Sequence, residues 1–297
     1  MSGAVNFPTV GLLLIIASLV AMLSRRVGLP YTAGLVLAGA GLALLPFGFS
    51  FPLTPALIFN IFLPPLIFEA AMQLKWSRFR AELPLTLTIA VAGVLIAAAL
   101  VAAGAHYLLG WSWLGAAFFG VLIAATDPVS VIAAFKEMNA EPRLSMIIES
   151  ESLLNDGVAA VGFAVLLILA EGQQFSPLAT GGFLLWSALG GIAIGAGVAF
   201  GILSVAGRTT DHLVEITLTT VIVWGSFLTA QAVEASGVFA TLAAGLIVGN
   251  FGWKNAISAE GRAQVLGFWE YAAFLANSFL FMVIGSHEAH QPLALFS

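Results

Sequence analysis

Runs of about 17 to 25 mostly apolar residues recur along this chain from one end to the other, each long enough to cross a hydrocarbon layer of roughly 30 Å. A water-soluble core could not hold so much apolar surface: of 297 residues, 60% are hydrophobic and 8% charged, and the mean hydropathy is +1.05. The chain therefore reads as a multi-span membrane protein with lipid as its main partner. About ten spans are expected, beginning near Phe7, Pro30, Pro52, Leu83, Trp111, Glu149, Thr180, Leu213, Gly237 and Gln264. The opening stretch has no basic residue ahead of its apolar run, so a cleaved signal peptide is not expected.

The distribution of charge supports that count. All 10 Lys and Arg residues fall in alternate connections: Arg25 and Arg26; Lys75, Arg78 and Arg80; Lys136 and Arg143; Arg208; Lys254 and Arg262. The intervening connections, such as "PFGFS", "HYLLG" and "EGQQFSP", contain none. Basic loops stay on the cytoplasmic side, so the N-terminus is expected outside and the protein in a plasma (cell inner) membrane.

No ten-residue alternation suggests a barrel, which leaves helices as the spanning element. Gly191 with Gly195, Gly197 with Gly201, and Gly245 with Gly249 stand four residues apart. Each pair reads either as a close helix contact or as the ordinary glycine content of membrane helices. Cysteine is absent, so disulfides and thiolate metal sites are excluded. The net charge of -5 comes with no basic stripe for nucleic acid, and no cofactor-binding motif is evident.

Two polar clusters interrupt the apolar runs. In "AATDPVS", Pro128 lacks an amide hydrogen and disfavours a helical residue before it, so the fifth span is expected to break at Asp127. A broken helix at membrane depth must be buried or line a cavity. Thr126 and Asp127 then offer hard oxygen ligands suited to an alkali cation. In "ESESLLNDG", helical spacing places Ser152 on the face of Asp156 and Glu151 on the face of Asn155. Gly157 would allow another backbone close to Asp156.

A charged group at mid-bilayer costs about 2.5 to 3.5 kcal/mol even on lenient scales, and unpaired intramembrane acids usually mark ion or proton paths. The plainer alternative is that Asp127 and Asp156 form a polar pair holding two helices together. Burial and a like-charged neighbour favour the protonated form of a carboxyl, so a proton and a cation would compete for the same oxygens. Glu69, beyond the Pro64 and Pro65 kink, either supports that pocket or hydrogen-bonds a loosened helix. Glu270, beside Trp269, reads as an interfacial anchor, and Asn277 and Ser278 as helix-packing groups. The four histidines fall in connections or the tail.

The segments "FLPPLIFEAAMQL", "ATDPVSVIAAFKEM", "ESESLLNDGVAAVGF", "GVFATLAAGLIVGN" and "FWEYAAFLANSFLFMVIG", in this order, resemble the cation:proton antiporter 1 family, the NhaP-type and eukaryotic sodium/proton exchangers. The resemblance implies an all-α polytopic fold of the inverted-repeat, NhaA-like kind. It also implies exchange of Na+ or a similar monovalent cation for H+ by elevator-like alternating access, usually in a homodimer, with no cofactor beyond the transported ions. By resemblance, Asp156 matches the ion-binding aspartate and Asn155 its partner. Thr126 and Asp127 match the pair on the unwound helix, Ser152 a hydroxyl ligand, and Glu69 an acid near the site. Glu151 matches an acid paired with an arginine on a later helix, and Asn at position 155 resembles the electroneutral branch.

Family members have about thirteen spans in two inverted repeats, whereas this chain stops at "HQPLALFS". The fold is thus expected to lack its last helices, with a further C-terminal segment as a partner. Within one exchanger domain over 1–297, residues 1–82 and 207–297 are expected to be dimer and scaffold helices, 83–170 the ion-carrying core, and 171–206 a linking helix. The alternatives are a non-transporting membrane fragment or scaffold and an intramembrane aspartyl protease. The latter is expected to carry its acids in YD and GxGD settings rather than TDP and NDG.

Overall fold

The computed structural model describes residues 7–28, 30–44, 57–126, 131, 135, 138, 141–171, 177–206, 210–253 and 256–289. Every regular element among them is helical. They are α1 (Phe7–Val27), α2 (Tyr31–Ala43), α3 (a π-turn Ile58–Phe62 followed by Leu63–Gln73), α4 (Trp76–Leu109) and α5 (Trp113–Ala124). After these come α6 (Pro142–Ala170), α7 (Pro177–Leu185, a π-turn Trp186–Gly190, then Gly191–Ala206) and α8 (His212–Ala232). The last two are α9 (Gly237–Ile247 with a π-turn Val248–Gly252) and α10 (Ala259–Ala289). Among the described residues five helices are long and apolar enough to cross a membrane, and four shorter apolar helices accompany them. The expected all-α, multi-span architecture is what the chain adopts.

Two helices begin well before the apolar runs that announced them. α4 starts at Trp76, not near Leu83, and α6 starts at Pro142, not Glu149. Hydropathy marks only the lipid-facing part of a helix. The first turns of α4 are amphipathic, with Phe79 buried while Arg78 and Arg80 are exposed. Pro142 stands at the start of α6, where a missing amide hydrogen costs nothing. The extra turns meet in a two-pronged ion pair: Arg143 donates from Nε to Glu82 Oε1 at 2.7 Å and from Nη2 to Oε2 at 2.9 Å.

The chain divides into two compact units, Met1–Leu66 with Gly267–Ser297, and Ile67–Leu266. In the first, Leu13, Ala17, Leu35, Leu42 and Met282 form a buried cluster. Ser278, fully buried, donates to the Phe274 carbonyl, so the Tyr31 hydroxyl is the donor in the bond between Tyr31 and Ser278. The packing role expected of Ser278 is met. Trp269 is fully buried and its neighbour Glu270 exposed. His287 falls in the last turn of α10 rather than in a tail.

In the second unit α4, α5 and α6 pack on one another, as do α7, α8 and α9. Here the glycine pairs separate. Gly191 and Gly195 face the carbonyls of Ser236 and Ala240, and Gly245 and Gly249 face those of Phe68 and Met72, so closely that a Cβ would overlap them. Gly197 and Gly201 face open space. The spacing is identical; only the azimuth around α7 differs, and its sign depends on where α9 lies.

Candidate functional site

The fifth span does break, slightly earlier than its proline suggested. α5 ends at Ala124, and Ala125 is already extended (φ −72, ψ 128). The chain therefore passes through Thr126 in a non-helical conformation, with its carbonyl and hydroxyl free to bond outside the helix. Asp127 and Pro128 lie outside the described residues.

Both oxygens of Thr126 are taken up by α6. Ser152 Oγ donates to the Thr126 carbonyl at 2.8 Å, and Asn155 Nδ2 donates to Thr126 Oγ1 at 3.0 Å. The same Asn155 amide reaches Glu151 Oε1 at 3.2 Å, the four-residue pairing that helical spacing predicts. Ser152 and Asn155 are buried, Glu151 and Asp156 half-buried. Asn155 Oδ1 and Ser150 Oγ are enclosed without a hydrogen-bond partner among the described residues. The structure thus joins Thr126, Glu151, Ser152 and Asn155 in one network. Asp156 stands one turn beyond Ser152 on the same face of α6.

One expectation changes in detail, and the two readings of Glu69 both stand. Gly157 is approached by the ring of Phe239 and not by a backbone, because α9 presents its aromatic side chain at that level. Glu69 is half-buried on α3 and accepts a hydrogen bond from Gln73 Nε2 one turn on.

Two polar residues that sequence reasoning passed over are prominent. Glu215 is 1% exposed. Its Oε1 accepts from the Ser258 amide at 2.7 Å and its Oε2 from the Ser258 hydroxyl at 3.3 Å, while Ser258 Oγ accepts from Gly261 N at 2.9 Å. The carboxylate is therefore a tertiary cap on the first turn of α10, where negative charge is favoured. The available signal was an acid one turn into an apolar run. The other is Asn250, a polar side chain in an apolar run, which bonds across a distant helix junction.

The arrangement places an irregular backbone segment against an acid-bearing helix, with oxygens converging from both. Such a constellation suits a hard cation and a proton in competition. Comparison with known proteins agrees. Residues 13–291 match the family model described as the transmembrane sodium/hydrogen exchanger. The chain is 40% identical over 269 residues to the Na(+)/H(+) antiporter ApNhaP of Aphanothece halophytica, covering 90% of this chain and 51% of that protein. It is 35% identical over 301 residues to sodium/hydrogen exchanger 7 of Arabidopsis thaliana, covering 95% and 26% respectively. The sodium proton antiporter MjNhaP1 of Methanocaldococcus jannaschii shares the fold, with a TM-score of 0.75 at 21% identity over 94% of this chain and 69% of that one. The chain spans about half the length of ApNhaP. On these grounds the protein is an integral, multi-pass membrane protein that belongs to the sodium/hydrogen exchanger family, a family of transporters and not of enzymes.

Proposed function

We propose that this chain carries the cation site of a Na+/H+ antiporter, exchanging a proton for a sodium ion at the carboxylate of Asp156. Asp127 and the oxygens of Thr126 and Ser152 complete the cation's ligands, and Asn155, Glu151, Glu69 and Pro128 support the site. The observation that carries this reading is the bonding of the extended Thr126 segment to Ser152 and Asn155, on the helix that presents Asp156. When Asp156 is ionised a cation neutralises the pocket; when it is protonated the pocket crosses without one. Loaded and unloaded forms then differ by one ion exchanged for another, and the exchange is electroneutral.

The same reading takes residues 83–170 as the ion-carrying core, 1–82 and 207–297 as dimer and scaffold helices, and 171–206 as the link. The protein works as a homodimer in the plasma membrane, with its N-terminus outside and basic loops cytoplasmic. A second reading draws on the share of its relatives that the chain spans: these residues act as a scaffold that exchanges only when joined to the remaining helices, including the arginine partner of Glu151.

Sodium-driven dissipation of a preset pH gradient in liposomes tests both. Activity of the 297-residue chain that disappears in Asp156→Asn supports exchange at this site, and retained activity in that variant would sink it. If both are silent, the scaffold reading gains, and co-reconstitution with the C-terminal half of a relative decides it.

A further inference from the structure

The side chain of Asn250 occupies the junction between α3 and α4. Its Nδ2 donates to the Leu74 carbonyl at 2.9 Å and to the Leu246 carbonyl of its own helix at 2.8 Å, and its Oδ1 accepts from the Trp76 amide at 2.8 Å. Leu74 and Lys75 are the two non-helical residues of that elbow, and Trp76 is the first residue of α4. One amide thus satisfies the end of one helix and the start of the next, groups that otherwise need a cap or water. Gly249 beside it lies against the Met72 carbonyl, so the two backbones meet where the amide reaches across.

The location gives these bonds a consequence. α4 packs along α5 and α6, the helices that bring Thr126, Ser152 and Asn155 together, whereas Asn250 belongs to α9, which packs with α7 and α8. Across this seam the contact between Gly157 and the Phe239 ring is apolar and carries no directional restraint, whereas a side-chain amide bonded to main chain on both sides fixes distance and angle. Asn250 also sits within a π-turn, a helix irregularity found frequently at functional sites.

We propose that Asn250 is a positioning residue for exchange: by pinning the elbow at Leu74 and Lys75 it fixes how the α4–α5–α6 group, with its cation site, is set against α9. The proposal rests on the exchange reading above. The residue touches no transported ion and acts only through the main chain of the elbow.

The test uses the full chain, whose lack of cysteine allows a clean pair of spin labels at Leu95→Cys on α4 and Leu228→Cys on α8, both on exposed faces. Asn250→Ala should shift or broaden the distance between them and raise the half-saturating sodium concentration several-fold, with a smaller fall in maximal rate. Trp76→Pro, which removes one of the three bonds at a position where proline is tolerated, should move both readouts the same way by less. It keeps the question answerable if Asn250→Ala does not fold. Ser226→Ala on α8, whose hydroxyl bonds within its own helix, should leave both unmoved. Distances and sodium dependence matching the parent would overturn the proposal, as would a moved distance with unchanged sodium dependence. A parent with no sodium-driven activity overturns exchange by this chain alone instead, and an active parent with an unmoved variant overturns only the role of Asn250.

Discussion

Ser152 Oγ lies 2.8 Å from the carbonyl oxygen of Thr126, 26 residues away in sequence, and donates its hydrogen there. This bond holds the extended end of α5 against α6. Replacing Ser152 by Ala removes about 1 kcal/mol of net hydrogen bonding, equivalent to roughly a fivefold change in an equilibrium constant. The half-saturating sodium concentration should rise by about that factor, with the maximal rate affected less. A sodium titration in proteoliposomes checks this, and unchanged sodium dependence would remove Ser152 from the site.

Asn155 serves two acceptors with one amide nitrogen. Asn155→Leu keeps the branched shape but leaves Glu151 Oε1 and Thr126 Oγ1 without that donor in a largely enclosed site. A loss of about 1 to 3 kcal/mol in stability is expected. Thermal unfolding in detergent measures it, and an unchanged midpoint would mean that the network is not formed in solution.

Glu215 and Gly261 should be coupled. A Cβ on residue 261 would collide with the Glu215 carboxylate, so Gly261→Ala is costly in the parent and much less costly once Glu215→Ala has removed that group. Glu215→Ala alone leaves the Ser258 amide without its carboxylate acceptor and should cost about 1 to 3 kcal/mol. The double-mutant cycle should therefore give a clearly non-zero interaction energy. Additive effects would show that the cap is not in place.

The two glycine pairs of α7 offer a contrast at constant chemistry. Gly195→Ala pushes a methyl group into the Ala240 carbonyl and should lower the unfolding temperature, whereas Gly201→Ala meets nothing and should stabilise by roughly 0.5 to 1 kcal/mol through backbone entropy alone. Equal effects would place α9 against the wrong face of α7.

What depends on local chemistry was legible in the residues alone. Apolar runs located the described helices, the proline of "TDP" anticipated the end of α5 to within a few residues, and four-residue spacing paired Glu151 with Asn155. Each of these follows from backbone geometry within one element, where neighbours in space are neighbours in the chain. Tertiary structure alone decided the rest. Whether Gly195 or Gly201 touches a neighbouring backbone depends on the azimuth of α7, and the ring of Phe239 reaches Gly157 only because α9 lies beside α6. The carboxylate of Glu215 became a helix cap, and the amide of Asn250 a joint, because partners 43 and 174 residues away were carried to them. A polar side chain in an apolar run announces that it needs a partner; which group supplies it is fixed only when the helices pack.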